Sequence, residues 1–326
     1  QSQSGDVDVY NTAVGYNAGT AVTTGIRNTL IGGLAGDALT SANQNVAIGY
    51  LALSADTQGE NNIAIGANAL AAQNFTTSTQ SMNVAIGRDA GGAVTTGIFN
   101  VLIGGQAGDA ITDADFNVAV GTNTLSTNIL GSQNVAVGNA ALNAMNPATA
   151  TNMYNTAVGA SAGLAVTTGL NNTLIGGLAG DAITASNDNV AVGTAALTTN
   201  TLSSENVAIG RSALQELNHT TATDGFNVAV GSDAGKLVTT GTNNVIIGGL
   251  AGDALTDADL NVAVGDNALS ADTLGSRSTA IGRSALSSQN FTTATDTYNT
   301  AVGFNAGTAV TTGTKNVLIG GLAGDA

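Results

Sequence analysis

NTAVGYNAGTAVTTGIR (11–27), NTLIGGLAGDALTSANQ (28–44), NVAIGYLALSADTQGEN (45–61) and NIAIGANALAAQNFTTSTQSM (62–82) are four consecutive variations on one pattern, and that pattern decides the fold. Each opens with Asn-x-x-[Val/Ile]-Gly. The opening recurs at Asn11, Asn28, Asn45, Asn62, Asn83, Asn100, Asn117, Asn134, Asn155, Asn172, Asn189, Asn206, Asn227, Asn244, Asn261, Ser278, Asn299 and Asn316. The spacing runs 17, 17, 17, 21 and then repeats, so four units form a super-repeat of 72 residues, starting at 11, 83, 155, 227 and 299. A fixed period of this kind is the mark of a stacked repeat architecture. Residues 1–326 read as a single continuous repeat domain of 18 units. Both ends cut across the period, from which we expect a longer native fibre.

Position 1 is Asn in 17 of 18 units, position 2 is Val, Ile or Thr, position 4 is Val or Ile, and position 5 is Gly throughout. Position 8 is Ala except at Thr124. Positions 2 and 4 point to one side of a strand, and their β-branched side chains suit it. Gly at position 5 supplies a turn or a close backbone approach. The density of Asn, Gly, Val and Thr argues against helix. Tandem identical units stack most simply in parallel register, which predicts an all-β chain: a parallel β-roll or β-solenoid of 17-residue coils, 21 in every fourth. At about 4.8 Å per rung the 18 units would span roughly 85 Å. The position 1 Asn side chains (Asn11, Asn28, Asn45, Asn62, Asn83, Asn100, Asn117, Asn134 and their successors) then form a structural ladder, each amide bonded to its neighbours along the axis.

Two further rows carry information. First and second units have Gly at position 9 and an apolar residue at position 12; third and fourth units have Leu at position 9, as in Leu53 and Leu70. The buried side chain moves by three residues between classes, with an accompanying change of backbone path. Position 3 is Ala in 13 units and Leu or Ile in Leu30, Leu102, Leu174, Ile246 and Leu318, never polar. With positions 2 and 4 taken as the core side, an apolar position 3 means that both strand faces are covered. The simplest second cover is another copy of the chain.

Composition excludes several functions. The 326 residues hold 44 Gly, no Trp, no Cys and 1 Pro, with aromatics at 3% and a formal net charge of −15. That charge disfavours nucleic-acid binding and adsorption to anionic membranes. Without Cys there are no disulfides or thiolate metal sites. No apolar run reaches the length of a membrane span and no signal segment is visible. No catalytic set is expected: the one His, His219, sits where other fourth units have Phe75, Pro147 and Phe291. The glycine-rich IGG-x-AGDA segments (31–38, 103–110, 175–182, 247–254) lack the Lys-Ser/Thr ending of a phosphate loop. They read as periodic turns, and no cofactor is expected.

The units NTAVGYNAG (11–19), NVAIGYLAL (45–53), NIAIGANAL (62–70), NVAIGRDAG (83–91) and NVAVGTNTL (117–125) resemble the head repeats of trimeric autotransporter adhesins, the YadA-like heads. Similar repeats occur in phage tail fibres. The resemblance spans essentially the whole chain, although these units are longer than the usual head repeat. It implies a left-handed parallel β-roll, intertwined or packed as a homotrimer, at a cell surface or on a virion fibre. It also implies adhesion to a host or cell-surface glycan or protein.

The candidate sites follow from the departures from strict repetition. The fourth-unit insertions AAQNFTTSTQSM (71–82), AMNPATATNMY (144–154), ELNHTTATDGF (216–226) and SQNFTTATDTY (288–298) concentrate the aromatics. Phe75, Tyr154, His219, Phe226, Phe291 and Tyr298 are the candidate recognition residues; the alternative is that they seal the longer loop. Asn74, Asn218 and Asn290 form Asn-x-Thr sequons there. Two second units cluster carboxylates, Asp109, Asp113 and Asp115, and Asp253, Asp257 and Asp259, at a spacing that can ligate calcium or simply form solvated acidic turns. An adhesive fibre is the leading expectation and a structural spacer the alternative. Ice binding is a minor one, because the pairs Thr23-Thr24, Thr95-Thr96, Thr167-Thr168, Thr239-Thr240 and Thr311-Thr312 recur only once per super-repeat.

Overall fold

The computed structural model describes residues 8–325; the chain ends included in the 1–326 repeat domain lie outside them. The chain is a parallel β-solenoid of about 18 coils. It divides into two compact units, residues 1–161 and 162–326. Among the described residues there is no helix, and so none long and apolar enough to cross a membrane.

In the first unit the strands run from Thr12–Val14 through Thr29–Ile31 and Val46–Ile48 to Thr156–Val158, one for each Asn-x-x-[Val/Ile]-Gly segment. Neighbouring coils pair in parallel and in exact sequence register: Thr12 with Thr29, Ala13 with Leu30, Val14 with Ile31. The register survives the 21-residue coil, where Val135 faces Thr156 and Val137 faces Val158. The second unit repeats the arrangement from Thr173–Ile175 to Val317–Ile319. Third and fourth coils add a two-residue strand, as in Gly59–Glu60 paired with Thr79–Gln80.

Positive φ angles bend the chain at the same places in every coil. Gly at position 5 sits near φ +135°, a region only glycine tolerates. A Cβ on Gly32 would lie 2.5 Å from the carbonyl oxygen of Gly49 in the next coil. Positions 7 and 9 and the last residue of the coil are left-handed, as in Asn17 (φ 52°), Leu53 (φ 53°) and Tyr10 (φ 47°). A left-handed leucine costs roughly 1–2 kcal/mol. Complete burial of its side chain contributes about 1.5–3 kcal/mol in return.

The inside and outside of the first strand are the reverse of the sequence expectation. Position 3 faces the core: Leu30, Ala47, Ala64 and Leu102 are buried. Positions 2 and 4 face out. The physical reason is parity. The position 1 Asn points inward, and alternation along a strand sends position 3 inward with it. Val and Ile at positions 2 and 4 report strand preference, not burial.

The core keeps its volume by exchange between rows. A second coil has Leu or Ile at position 3 and Gly at position 9; third and fourth coils have Ala at 3 and Leu at 9. A Cβ on Gly36 would come within 2.8 Å of both Leu30 and Leu39, so the leucine at position 3 occupies that space. Leucine at position 9 is buried in the third and fourth coils as expected, but position 12 does not give up its place: Asp56, Gln73, Asn128 and Met145 there are buried as well. The backbone is left-handed at position 9 in both classes, and the paths part later, at the extra strand.

The Asn ladder is present in a specific form. The main-chain N–H of each position 1 residue donates to Oδ1 of the Asn one coil earlier: Asn28 to Asn11 at 2.7 Å, Asn45 to Asn28 at 3.0 Å, Asn62 to Asn45 at 2.9 Å. It continues through Asn83, Asn100, Asn117 and Asn134 to Asn155. In many coils Nδ2 ties the coil to itself, as where Asn28 donates to the Ala42 carbonyl at 2.8 Å; in others it reaches back one coil, Asn62 to Asn45 Oδ1 at 3.1 Å and Asn134 to Asn117 Oδ1 at 3.0 Å. In the second unit Ser278 accepts the place but not the role. The Asn299 N–H turns instead to the Thr297 hydroxyl at 3.4 Å.

Candidate interaction surface

The outward rows 2 and 4 form a sheet face of Val, Ile and Thr with no charged residue in any coil. Several interior members of this face are more than a third exposed, including Ile31 (37%), Ile175 (39%) and Ile247 (38%), and most of the others are partly exposed. Parallel sheets are normally covered on both faces. Here one face meets the core and the other, within each unit, is open.

The residues just before and just after each strand frame this face. Six of the seven basic residues occupy those two rows: Arg27, Arg277 and Lys315 at the last position, and Arg88, Arg211 and Arg283 at position 6. Several are neutralised locally, Arg277 by Asp296 at 3.0 Å and Arg211 by Asp233. Exposed aromatics share these rows: Tyr16, Tyr50 and Phe304 at position 6, and Phe99, Phe116, Tyr154, Phe226 and Tyr298 at the last position. Phe99 and Phe116 stack across adjacent coils at 5.1 Å, and Arg277 lies 5.9 Å over the Tyr298 ring.

The recognition candidates from the insertions therefore separate. Tyr154, Phe226 and Tyr298 are exposed beside the open sheet face. Phe75, Phe291 and His219 are buried, at 8%, 7% and 8% exposure, and close the longer loop from beneath. His219 Nε2 lies 2.9 Å from the Thr240 carbonyl, so the ring is held inside. What the loops present to solvent is small and mostly hydroxyl-bearing: Thr76, Thr77 and Ser78 in the first, Thr292, Thr293 and Ala294 in the last. The sequon residues Asn74, Asn218 and Asn290 are exposed, each receiving a hydroxyl bond from the preceding coil, at 3.3, 2.7 and 3.2 Å.

The carboxylates considered for calcium are spread over three rows. Asp113 and Asp257 accept from the hydroxyls of Thr96 and Thr240. Asp115 and Asp259 accept the main-chain N–H of Ile98 and Thr242 at 2.8 and 2.7 Å. Asp109 and Asp253 stand apart in row 10, each with one buried oxygen that has no partner. Among the described residues no three acidic, His or Cys side chains converge as a metal would require. Burial raises the pKa of Asp109, Asp115, Asp181 and Asp253 above the ordinary carboxylate value. Nearby carboxylates add to the rise at Asp109, Asp115 and Asp253.

One row escaped the sequence reading. Thr23, Thr95 and Thr167 do not stand alone; they belong to position 13, which is Thr or Asn in nearly every coil. In the second unit the row runs unbroken through Thr167, Thr184, Thr201, Asn218, Thr239, Thr256, Thr273, Asn290 and Thr311. Its hydroxyls donate to the carbonyl of the same row one coil on, as from Thr167 to Thr184 at 3.1 Å and Thr256 to Thr273 at 3.0 Å. Aligning residues by coil, and not by adjacent Thr pairs, would have found it.

Compared with known proteins, the chain matches no family model, no curated protein and no solved structure.

Proposed function

We propose that this chain is a non-enzymatic segment of an extracellular adhesive fibre, assembled with copies of itself, a homotrimer by preference, through the open Val/Ile face. The observation that carries the proposal is that face: uncharged, β-branched and partly exposed from coil to coil. An apolar surface of this kind is a protein interface by default. Its partner must also be uncharged and must repeat at the same rung spacing, and a second copy meets both conditions. Closed symmetry lets every chain bury its face in the same way. The framing aromatics and the arginines paired with nearby acids then lie at the rim, where polar and aromatic groups are tolerated. No cofactor, nucleic acid or inserted membrane segment takes part in this reading.

Adhesion is assigned to the fourth-coil loops, whose exposed hydroxyl-rich tips interrupt an otherwise regular surface and suit a cell-surface glycan or protein. Whole-cell and glycan-array binding tests it. The native chain should bind, and a chain whose loop tips 76–78, 148–150, 220–222 and 292–294 are replaced by Gly and Ala should not, with its mass in solution unchanged. Absence of binding by the native chain would leave a structural spacer.

The Thr row favours ice binding as a second reading, since hydroxyls held in one orientation at rung spacing make an ordered array. Thermal hysteresis that vanishes in Thr184→Lys/Thr256→Lys would support it; no hysteresis would dismiss it.

A further inference from the structure

The junction between third and fourth coils comes in two chemical types. At position 12 the third coils carry Asp56, Asn128, Asn200 and Asp272, all buried. The fourth coils answer with Gln73, Met145, Leu217 and Gln289, also buried. Asp always meets Gln, and Asn always meets an apolar residue.

Hydrogen-bond supply explains the match. Asp56 Oδ1 accepts the Gly59 and Phe75 main-chain N–H groups, each at 3.0 Å, and Oδ2 accepts Gln73 Nε2 at 2.7 Å. Asp272 repeats this with Gly275, Phe291 and Gln289 at 3.1, 2.9 and 2.6 Å. Two of the three donors come from the fourth coil. Burial is the leading cause of an upward pKa shift at Asp56, and these donations pull against it. Asn128 needs nothing from its neighbour. It takes the Gly131 N–H at 2.8 Å and returns Nδ2 to the Gly131 carbonyl at 2.7 Å. Asn200 does the same with Ser203, at 2.9 and 2.8 Å. The coil above Asn128 can therefore offer Met145, and Pro147 stands where Phe75 gives its N–H.

We propose that the position 12 pair is a matching rule that decides which long-loop coil can seat on which third coil. Super-repeats are otherwise nearly interchangeable, and repeat proteins misassemble by exchange of like elements within a chain or between copies. Seating the Met145–Pro147 coil on Asp56 would strand Oδ2 and remove the N–H that Phe75 supplies. The Asp–Gln junctions thus reject the neighbouring coils that most resemble their own.

Amide hydrogen exchange on the full chain tests the rule. Gln73→Met should speed exchange of the Gly59 amide and of the 73–83 segment by about tenfold or more, because a buried carboxylate loses a donor. Asp56→Asn/Gln73→Met should return exchange to within about threefold of the parent, since Asn closes on its own coil. In the second super-repeat Asn128→Asp should open its junction, and Asn128→Asp/Met145→Gln/Pro147→Phe should close it again. The Asn128 series reads the same rule if Gln73→Met does not fold. A double variant no better protected than Gln73→Met, or an Asn128→Asp junction as protected as the parent, overturns the proposal.

Discussion

Asn100→Ala removes one rung of the ladder and shows what the ladder is worth. Asn100 is buried, and its Oδ1 accepts the Asn117 main-chain N–H at 3.0 Å and Asn117 Nδ2 at 3.2 Å. Its own Nδ2 donates to the Ala114 carbonyl at 2.8 Å. Alanine leaves the Asn117 N–H and the Ala114 carbonyl without these partners inside a dry core. Each stranded main-chain group costs about 1–3 kcal/mol, so the loss should be about 2–6 kcal/mol. Coils contact only their neighbours, so the damage should stay local. Hydrogen exchange should show the Asn117 amide deprotected by at least tenfold with distant coils unchanged, and urea unfolding should show the stability loss. The chain supplies its own comparison at Ser278, where the Ser278 hydroxyl meets Thr297 at 2.6 Å and Gln289 at 2.8 Å. Coil 100–116 has no such helpers. An Asn100→Ala chain within about 0.5 kcal/mol of the parent, its Asn117 amide still protected, would refute the ladder as a stabilising element.

Gly36→Ala should destabilise by about 1–3 kcal/mol, because its Cβ meets Leu30 and Leu39 at 2.8 Å; Leu30→Ala/Gly36→Leu, which copies the third-coil exchange, should melt higher than Gly36→Leu alone. Asp181→Asn should raise the melting temperature at neutral pH. Burial lifts the folded-state pKa of Asp181, so its folded form holds the proton more tightly than the unfolded chain. Stability is therefore full below the ordinary carboxylate range and falls as pH rises through the folded value, and the advantage of Asn should shrink on acidification to about pH 4. Ile103→Lys places a charge on the open face at a partly exposed position; circular dichroism should stay that of the parent while the proposed self-association is lost.

Much of the architecture was legible because it rests on periodicity. The 17-residue spacing fixes the rung, Gly at position 5 fixes the bend, and Asn at position 1 fixes the ladder. The side of the strand that faces inward was misread because β-branching was taken as a sign of burial. The decisive signal was also in the sequence: position 3 shares parity with the inward Asn, and its Leu30 and Leu102 alternate with Gly36 and Gly108 in the manner of residues sharing one space. Asp56 and Asp272 were not legible as a buried pair. A lone Asp in a polar stretch reads as a surface turn until the N–H groups of Phe75 and Phe291 are seen to point at it. For Phe75, His219 and Phe291 the sequence left display and sealing both open; their burial agrees with sealing, since a longer loop needs filling beneath.

The mass of the native chain in solution, by light scattering on a sizing column at neutral pH, tests the self-assembly most directly. The proposed homotrimer predicts an assembly of three times the 31.7 kDa chain. A stable, folded particle of 31.7 kDa at every concentration would contradict it.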